Sequence, residues 1–124
     1  MKIKGLNHVK LTVSDLEQSK IFYTRLPGFK LVAAYPDFYM FSCGKCYLGI
    51  TTHKEKQKSQ KFEEFNVGLD HISFEIDTSL EEALVFLDDN KISHGEIQIL
   101  SNDLSVLAFR DPDNIQLEFS WRKV

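Results

Sequence analysis

Apolar and polar residues alternate along residues 5–13, GLNHVKLTV, and this alternation predicts a half-buried β-strand. The same alternation returns in residues 68–76, GLDHISFEI. Each copy begins with Gly-Leu, continues with an amide or acid, and then places a histidine. A strand written nearly identically half a chain later indicates an internal repeat.

Each of these strands is followed by a predicted helix. Ser14 and Glu17 have the spacing of a capping box, and Pro27-Gly28 is a suitable stop for a helix that begins there. Ser79 and Glu82 repeat the capping box in the second half. The apolar residues after Ser79 have the i, i+3, i+4, i+7 spacing of one helical face and are Leu80, Ala83, Leu84 and Leu87.

Three short β-like runs follow each helix, separated by turn residues. They are FKLVAAY, FYMFS and CYLGITT in the first half, and GEIQIL, LSVLAF and IQLEFSW in the second. The sequence therefore predicts an α+β fold with two βαβββ modules, at about residues 1–53 and 67–124, joined within a single domain by the charged linker 54–66. One helix covers only one face of a sheet, so we expect the two modules to lie side by side as a curved mixed-sheet cup.

The composition excludes several partners. A net charge of −3 gives no electrostatic reason to expect binding to nucleic acid or to an anionic membrane. The first residues, MKIKGLNHVKL, contain no apolar stretch typical of a signal peptide, and no apolar run approaches the roughly 20 residues of a membrane span. Two cysteines without an export signal predict a cytoplasmic protein with reduced thiols.

Strand parity places candidate chemistry on one face of the sheets. Alternate residues of a strand point to opposite faces, so the apolar set packs under the helices and the polar set lines the concave side. His8 and His71 stand at the same step of the repeated strand, and Glu118 has the polar parity of the last strand. Two imidazoles and one carboxylate on a shared face are typical ligands of a divalent metal ion.

At these residues the chain resembles the vicinal oxygen chelate superfamily, which includes glyoxalase I, extradiol dioxygenases, fosfomycin-resistance thiol transferases and bleomycin-binding proteins. The similar segments are NHVKLTVSDLEQSKIFYTRLPGF, GLDHISFEI and FRDPDNIQLEFSW. The resemblance implies paired βαβββ modules, frequent homodimers, and metal ligands on the first and last strands of the modules. His8, His71 and Glu118 match those positions, and iron, manganese, zinc and nickel are all compatible with them.

The sequence also departs from each well-known activity of the superfamily. Gly49 stands where glyoxalase I has a carboxylate that binds the metal and moves a proton. Lys10 replaces the small hydroxyl residue expected in fosfomycin-resistance enzymes, and the sequence ends before their basic substrate-binding segment. The run 104–109, LSVLAF, lacks the acid–base tyrosine or histidine of extradiol enzymes.

The remaining candidates concern the pocket and the reaction. Glu75 is a weak candidate base, and the expected substrate-pocket residues are Lys10, Tyr47, Gly49 and Phe109. An aromatic-lined cup suits a small, partly apolar substrate. We therefore expect a metal-dependent enzyme acting on a substrate chelated through neighbouring oxygens, by lyase, isomerase or dioxygenase chemistry. The alternatives are a non-catalytic small-molecule or antibiotic binder of the bleomycin-resistance type and a fosfomycin-type thiol transferase.

Overall fold

A computed structural model describes residues 1–53 and 60–123, which fall into two compact units. Unit 1 is Met1–Gln60 and unit 2 is Lys61–Val124. Residues 54–59 of the predicted linker lie outside the described residues, and residues 60–66 form no helix or strand. Within the described ranges, no helix is long and apolar enough to cross a membrane.

Unit 1 is one four-stranded sheet with one helix. Its elements are β1 (His8–Thr12), α1 (Leu16–Arg25), β2 (Lys30–Tyr35), β3 (Phe38–Cys43) and β4 (Cys46–Thr51). The strand order is β1-β4-β3-β2, in which β1 and β4 are parallel and the other neighbours are antiparallel. The helix is the crossover by which the chain leaves β1 before the three-stranded meander returns to pair with it.

Unit 2 has the same arrangement. Its elements are β5 (Ile72–Glu75), α2 (Leu80–Asp89), β6 (Gln98–Ile99), β7 (Leu104–Arg110) and β8 (Gln116–Arg122). The order is β5-β8-β7-β6, with β5 and β8 parallel. The predicted α+β fold with two βαβββ modules is thus confirmed, although β6 is only two residues long where the pattern predicted a strand over 95–100.

The helix caps confirm one prediction and correct another. The Ser79 hydroxyl accepts a hydrogen bond from the backbone N–H of Glu82 at 3.4 Å, as predicted for the start of α2. In α1 the N-cap is Asp15, whose carboxylate accepts from the N–H of Gln18 at 3.0 Å, so the prediction of Ser14 was wrong by one residue. Aspartate and serine cap helices about equally well, so their order in Ser-Asp does not decide between them.

The apolar parity packs under each helix, as predicted. In unit 1, Tyr23 of α1 is fully buried, and its ring lies 6.3 Å from that of Phe41 on β3. In unit 2, the Phe119 ring lies 6.4 Å from that of Phe86 on α2. The polar parity of β1 and of β5 is exposed along its whole length. Each sheet therefore buries its helix-side face and presents the other.

A tight turn fixes how β8 follows β7. One carboxylate oxygen of Asp111 accepts hydrogen bonds from the N–H groups of Asp113 and Ile115, both at 2.8 Å. Asn114 completes the turn with a positive φ of 66°, a conformation that asparagine tolerates better than most residues. The turn sets the register of β8, and with it the face on which Glu118 lies.

Candidate metal centre

Two of the three predicted metal ligands lie side by side in unit 2. His71 is the residue just before β5, and Glu118 lies on the neighbouring strand β8, where it pairs in register with Ser73. The Nε2 atom of His71 is 3.8 Å from Oε1 of Glu118. The side chain of His71 is 40% exposed and that of Glu118 is 17% exposed. The pair is therefore open to solvent on the helix-free face.

The separation of this pair fits an ion better than it fits a hydrogen bond. A distance of 3.8 Å is too long for a direct hydrogen bond. Two donors bonded to one ion at about 2.1 Å lie about 3.0–3.4 Å apart at octahedral or tetrahedral angles. Shortening the separation by about 0.4–0.8 Å would bring the two atoms to that spacing, so these two residues fit a divalent metal.

The orientation of His71 also suits ligation. Its Nδ1 atom lies 2.6 Å from Oδ1 of Asp70. An ionised carboxylate only accepts hydrogen bonds, so Nδ1 carries the proton and donates it to Asp70. In the neutral ring Nε2 then carries the lone pair, and this atom faces Glu118. Metal-binding histidines generally donate their other ring N–H to such an acceptor.

His8 in unit 1 has the same local arrangement. Its Nδ1 atom lies 2.7 Å from Oδ1 of Asn7, which places the ring proton on Nδ1 and leaves Nε2 free. His8 is exposed at the start of β1 and pairs in register with Tyr47, which is itself 42% exposed. Within the ranges 1–53 and 60–123, no group of three or more histidine, cysteine or acidic side chains is placed as a metal site.

Asn7 and Asp70 are site residues that the sequence analysis did not assign. The signal was present, because the repeat has an amide or acid directly before each histidine. In both units that preceding side chain accepts the Nδ1 proton of the histidine. The repeated dipeptide therefore encodes an oriented imidazole rather than a histidine alone.

Gly49 lies beneath a packed lysine and phenylalanine. It pairs in register with Lys10 on β1, and the Nζ atom of Lys10 lies 4.4 Å from the centre of the Phe38 ring. A Cβ atom on Gly49 would lie 2.9 Å from Cε2 of Phe38 and 3.4 Å from Cγ of Lys10. A side chain on residue 49 would therefore require the Phe38 ring to move. The resemblance assigns a proton-moving carboxylate to this position, but the Lys10 and Phe38 side chains fill the space that such a carboxylate would need.

Two other predicted site residues have evident structural surroundings. Phe109, expected in the pocket, is 1% exposed, and its ring lies 4.5 Å from that of Phe119 on the helix side of the sheet. Its apolar parity, shared with Leu107 and opposite to Arg110, places it in the core, so we do not retain it as a pocket residue. Glu75, the candidate base, is exposed at the end of β5, 3.8 Å from Nε of Arg122.

An ion pair lies on the same sheet face as His71 and Glu118. The guanidinium of Arg110 donates to both carboxylate oxygens of Glu64, with distances of 2.9 and 2.8 Å. These hydrogen bonds lower the pKa of Glu64 from 4.5 to about 2 and raise the pKa of Arg110. Both groups therefore stay charged at neutral pH.

Cys43 and Cys46, which form a CxxC sequence, are free thiols at the β3–β4 turn. The pKa of Cys43 is raised, first by burial and then by the neighbouring Cys46. A raised pKa disfavours the thiolate that redox and metal chemistry require. The structure thus supports a packing role for this pair.

Comparison with known proteins identifies the relatives of the chain. The model of the Glyoxalase/Bleomycin resistance protein/Dioxygenase superfamily matches residues 5–119. The metallothiol transferase FosB of Staphylococcus epidermidis is 27% identical over 119 residues, which cover 94% of this chain and 82% of that protein.

Solved structures give the same result. A glyoxylase/bleomycin resistance protein/dioxygenase domain from Frankia sp. EAN1pec is 29% identical, with a TM-score of 0.85, and the match covers 98% of this chain and all of that one. The fosfomycin resistance protein FosX from Mesorhizobium loti has a TM-score of 0.74 at 19% identity, covering 99% of this chain and 96% of that one, and so shares the fold.

Proposed function

The chain belongs to the Glyoxalase/Bleomycin resistance protein/Dioxygenase superfamily, and we propose that it is a metal-dependent enzyme acting on a small substrate with two neighbouring oxygen atoms. His71 and Glu118 would hold the ion, with His8 as the third ligand. Iron, manganese, zinc and nickel suit this donor set of two imidazoles and one carboxylate. A bound divalent ion would supply Lewis acidity, which stabilises negative charge developing on the substrate oxygens.

One observation carries this proposal. The Nε2 atom of His71 faces a carboxylate oxygen of Glu118 at 3.8 Å, and the hydrogen bond from Nδ1 of His71 to Asp70 favours the neutral tautomer whose Nε2 carries a lone pair. An imidazole lone pair opposite a carboxylate is an electron-rich pair that a cation would satisfy. The equivalent histidine of unit 1, His8, is oriented in the same way by Asn7 and is exposed.

The other residues of the helix-free faces would orient the substrate. Lys10 lies two residues after His8 on the same face of β1, and its positive charge suits an anionic substrate oxygen. Tyr47 lies beside His8 and offers an exposed ring and hydroxyl. Gly49 has no side chain to accept a proton, which argues against glyoxalase chemistry of the ordinary kind. Isomerase or lyase reactions that use another base, and dioxygenase chemistry, remain compatible with the proposal.

Thiol transfer to an epoxide antibiotic is a second candidate, favoured by the likeness to FosB. Two proteins named metallothiol transferase FosB are each 27% identical across 94% of this chain. In such a reaction a thiolate attacks an epoxide carbon, the C–O bond breaks, and the released oxygen takes up a proton. Expression of the chain in a fosfomycin-sensitive bacterium tests this candidate, and unchanged sensitivity would exclude it.

Metal analysis tests the main proposal. Protein purified without chelator is expected to carry about one divalent ion per chain. His8→Ala, His71→Ala and Glu118→Gln are expected to lose it, whereas His53→Ala, which changes an exposed histidine outside the proposed set, is the matched control. A wild-type protein that binds added zinc or manganese no better than these variants would refute the proposal and favour a non-catalytic binder. We also propose a cytoplasmic homodimer, which sedimentation and cell fractionation would test.

A further inference from the structure

We infer that a network of hydrogen-bonded side chains in unit 2 positions His71 for metal binding. We call it the His71 support network, and its members are Glu64, Arg110, Gln116 and Asp70. The inference rests on the proposed function in taking His71 as a ligand. It assigns positioning roles to four residues that do not themselves touch the ion.

Asp70 alone is not enough to keep the exposed imidazole of His71 in one orientation. It accepts the Nδ1 proton of His71 at 2.6 Å, but its side chain is 66% exposed. It is also the direct sequence neighbour of His71, ahead of the first residue of β5. A solvent-exposed carboxylate on such a segment needs a further partner if it is to fix the ring.

Gln116 supplies that partner. Its Nε2 atom donates to Oδ1 of Asp70 at 3.1 Å and to the backbone oxygen of Asp70 at 3.4 Å. The same carboxylate oxygen therefore receives one hydrogen bond from His71 and one from Gln116. These hydrogen bonds attach Asp70, just before β5, to Gln116, the first residue of β8. The contact between β5 and β8 thus continues into the segment that carries His71.

Arg110 determines which way the amide of Gln116 points. The Nη2 atom of Arg110 donates to Oε1 of Gln116 at 3.4 Å. Because a guanidinium can only donate, the oxygen of the amide must face it, and the NH₂ group must face Asp70. If the amide turned over, two donors would oppose each other at Arg110 and two acceptors would oppose each other at Asp70.

Glu64 in turn anchors Arg110. The two side chains form a bidentate pair, with distances of 2.8 and 2.9 Å, and they are 17% and 29% exposed. Arg110 also donates to the backbone oxygen of Asn114 at 3.1 Å. A planar fork held at both nitrogens has little rotational freedom, so its donation to Gln116 has a defined direction.

The network also links the two donors of the pair. Gln116 and Glu118 are two residues apart on β8 and lie on the same face of the sheet. Gln116 holds the Asp70–His71 segment, while Glu118 faces the ring of His71 across 3.8 Å. The spacing of the metal-binding pair is therefore set from one rigid strand.

The test measures metal affinity and the tautomer of His71 separately. Zinc affinity is obtained by competition with a chromophoric chelator. The position of the ring proton is obtained from ¹H–¹⁵N correlation spectra of the metal-free protein at about pH 8, where an ordinary imidazole is neutral. We expect Asp70→Ala to weaken zinc binding about 10- to 100-fold. Gln116→Leu should weaken it about two- to tenfold, the contribution of its hydrogen bond to the Asp70 carboxylate. Both should reduce the Nδ1–H form of His71.

Two further variants separate positioning from general stability. Asp70→Asn keeps an acceptor oxygen and reproduces the Asn7–His8 pair of unit 1, so it should restore most of the affinity lost in Asp70→Ala. Ser120→Ala is the matched control, because Ser120 lies on the same face of β8 and is as far from Glu118 as Gln116 is. It should leave zinc affinity and the tautomer unchanged.

The outcomes distinguish this inference from the proposed function. Wild-type zinc affinity and an unchanged tautomer in Gln116→Leu would overturn the inference while leaving the metal site intact. A wild-type protein that binds neither zinc nor manganese, but whose His71 tautomer changes in Asp70→Ala and Gln116→Leu, would overturn the proposed function while showing that the network orients the ring. Equal losses in Ser120→Ala and Gln116→Leu would also overturn the inference.

Discussion

Replacement of Gly49 by alanine probes the packing that separates this protein from a glyoxalase-like arrangement. The added Cβ would lie 2.9 Å from Cε2 of Phe38, 3.4 Å from Cγ of Lys10 and 3.5 Å from Cε of Met40. Cβ atoms essentially never approach another heavy atom as closely as 2.9 Å. The Phe38 ring is itself stacked against Tyr35, with ring centres 5.8 Å apart, and has the Lys10 ammonium over its face, so its displacement would disturb both contacts.

Two opposing terms decide the size of the effect. Overpacking a filled site costs about 1–3 kcal/mol. Removing the conformational freedom of glycine from the unfolded chain returns about 0.4–1 kcal/mol, because Gly49 has no positive φ that alanine would resist. From the middle of each range, we therefore expect Gly49→Ala to lower the free energy of unfolding by about 1 kcal/mol.

Urea denaturation of a double-mutant cycle measures this. In a Phe38→Leu background the clash is absent, so Gly49→Ala should be neutral or stabilising there, a reversal of sign. Gly95→Ala is the control, because its Cβ would meet nothing closer than the backbone oxygen of Ala108 at 4.0 Å, and it should not destabilise. A Gly49→Ala protein as stable as the wild type, or equally destabilised with and without Phe38, would refute the packing argument.

Three further predictions concern stability. Hydrogen bonds from Arg110 lower the pKa of Glu64 to about 2, so the contribution of Glu64 to the free energy of unfolding is present above about pH 4.5 and is lost as the pH falls towards 2. Glu64→Gln should therefore reduce the loss of stability at acid pH. The control Glu63→Gln, which changes an exposed neighbour, should not. The pKa of His94 is raised above 6.5, first by its hydrogen bond to the backbone carbonyl of Gly95 and then by Asp88. The contribution of His94 to the free energy of unfolding is therefore present below pH 6.5 and is lost as the pH rises through the raised pKa. In pH-dependent unfolding, His94→Gln should remove that loss, whereas His53→Gln should keep it. The buried hydroxyl of Ser19 has no hydrogen-bond partner among the described residues. Ser19→Ala should therefore raise the free energy of unfolding by about 1–2 kcal/mol and raise the melting temperature. An unchanged or lower melting temperature would contradict this.

The fold and the faces of the strands were predictable because both follow from short-range periodicity. Val9 and Leu11 alternate with His8 and Lys10, and this period of two determines which side chains pack under the helix. The repeat of the strand and helix patterns gave the two modules. The exposed positions of His8 and His71 follow from the same rule.

The surroundings of the candidate ligands depend on contacts between distant residues. Glu64 and Arg110 are separated by 46 positions, and so are Asp70 and Gln116. No local sequence pattern marks these pairs, because each of the four is a polar residue of a kind that is common on any solvent-exposed face. The filling of the space over Gly49 by Phe38 depends likewise on the register of β3 against β4, which the sequence analysis did not fix.

The strand registers show how the two halves of the repeat have diverged. Lys10 pairs with Gly49 between β1 and β4, and Ser73 pairs with Glu118 between β5 and β8. Lys10 and Ser73 each lie two residues after a histidine, so Gly49 is the counterpart of Glu118. Unit 2 thus keeps a carboxylate where unit 1 has a glycine beneath a lysine. A reaction that removes a proton at the unit 1 position lacks its acceptor, while a reaction in which an anionic oxygen needs a nearby cation is favoured by Lys10. This divergence is the reason that our proposal favours an anionic oxygenated substrate over the proton transfer of a glyoxalase.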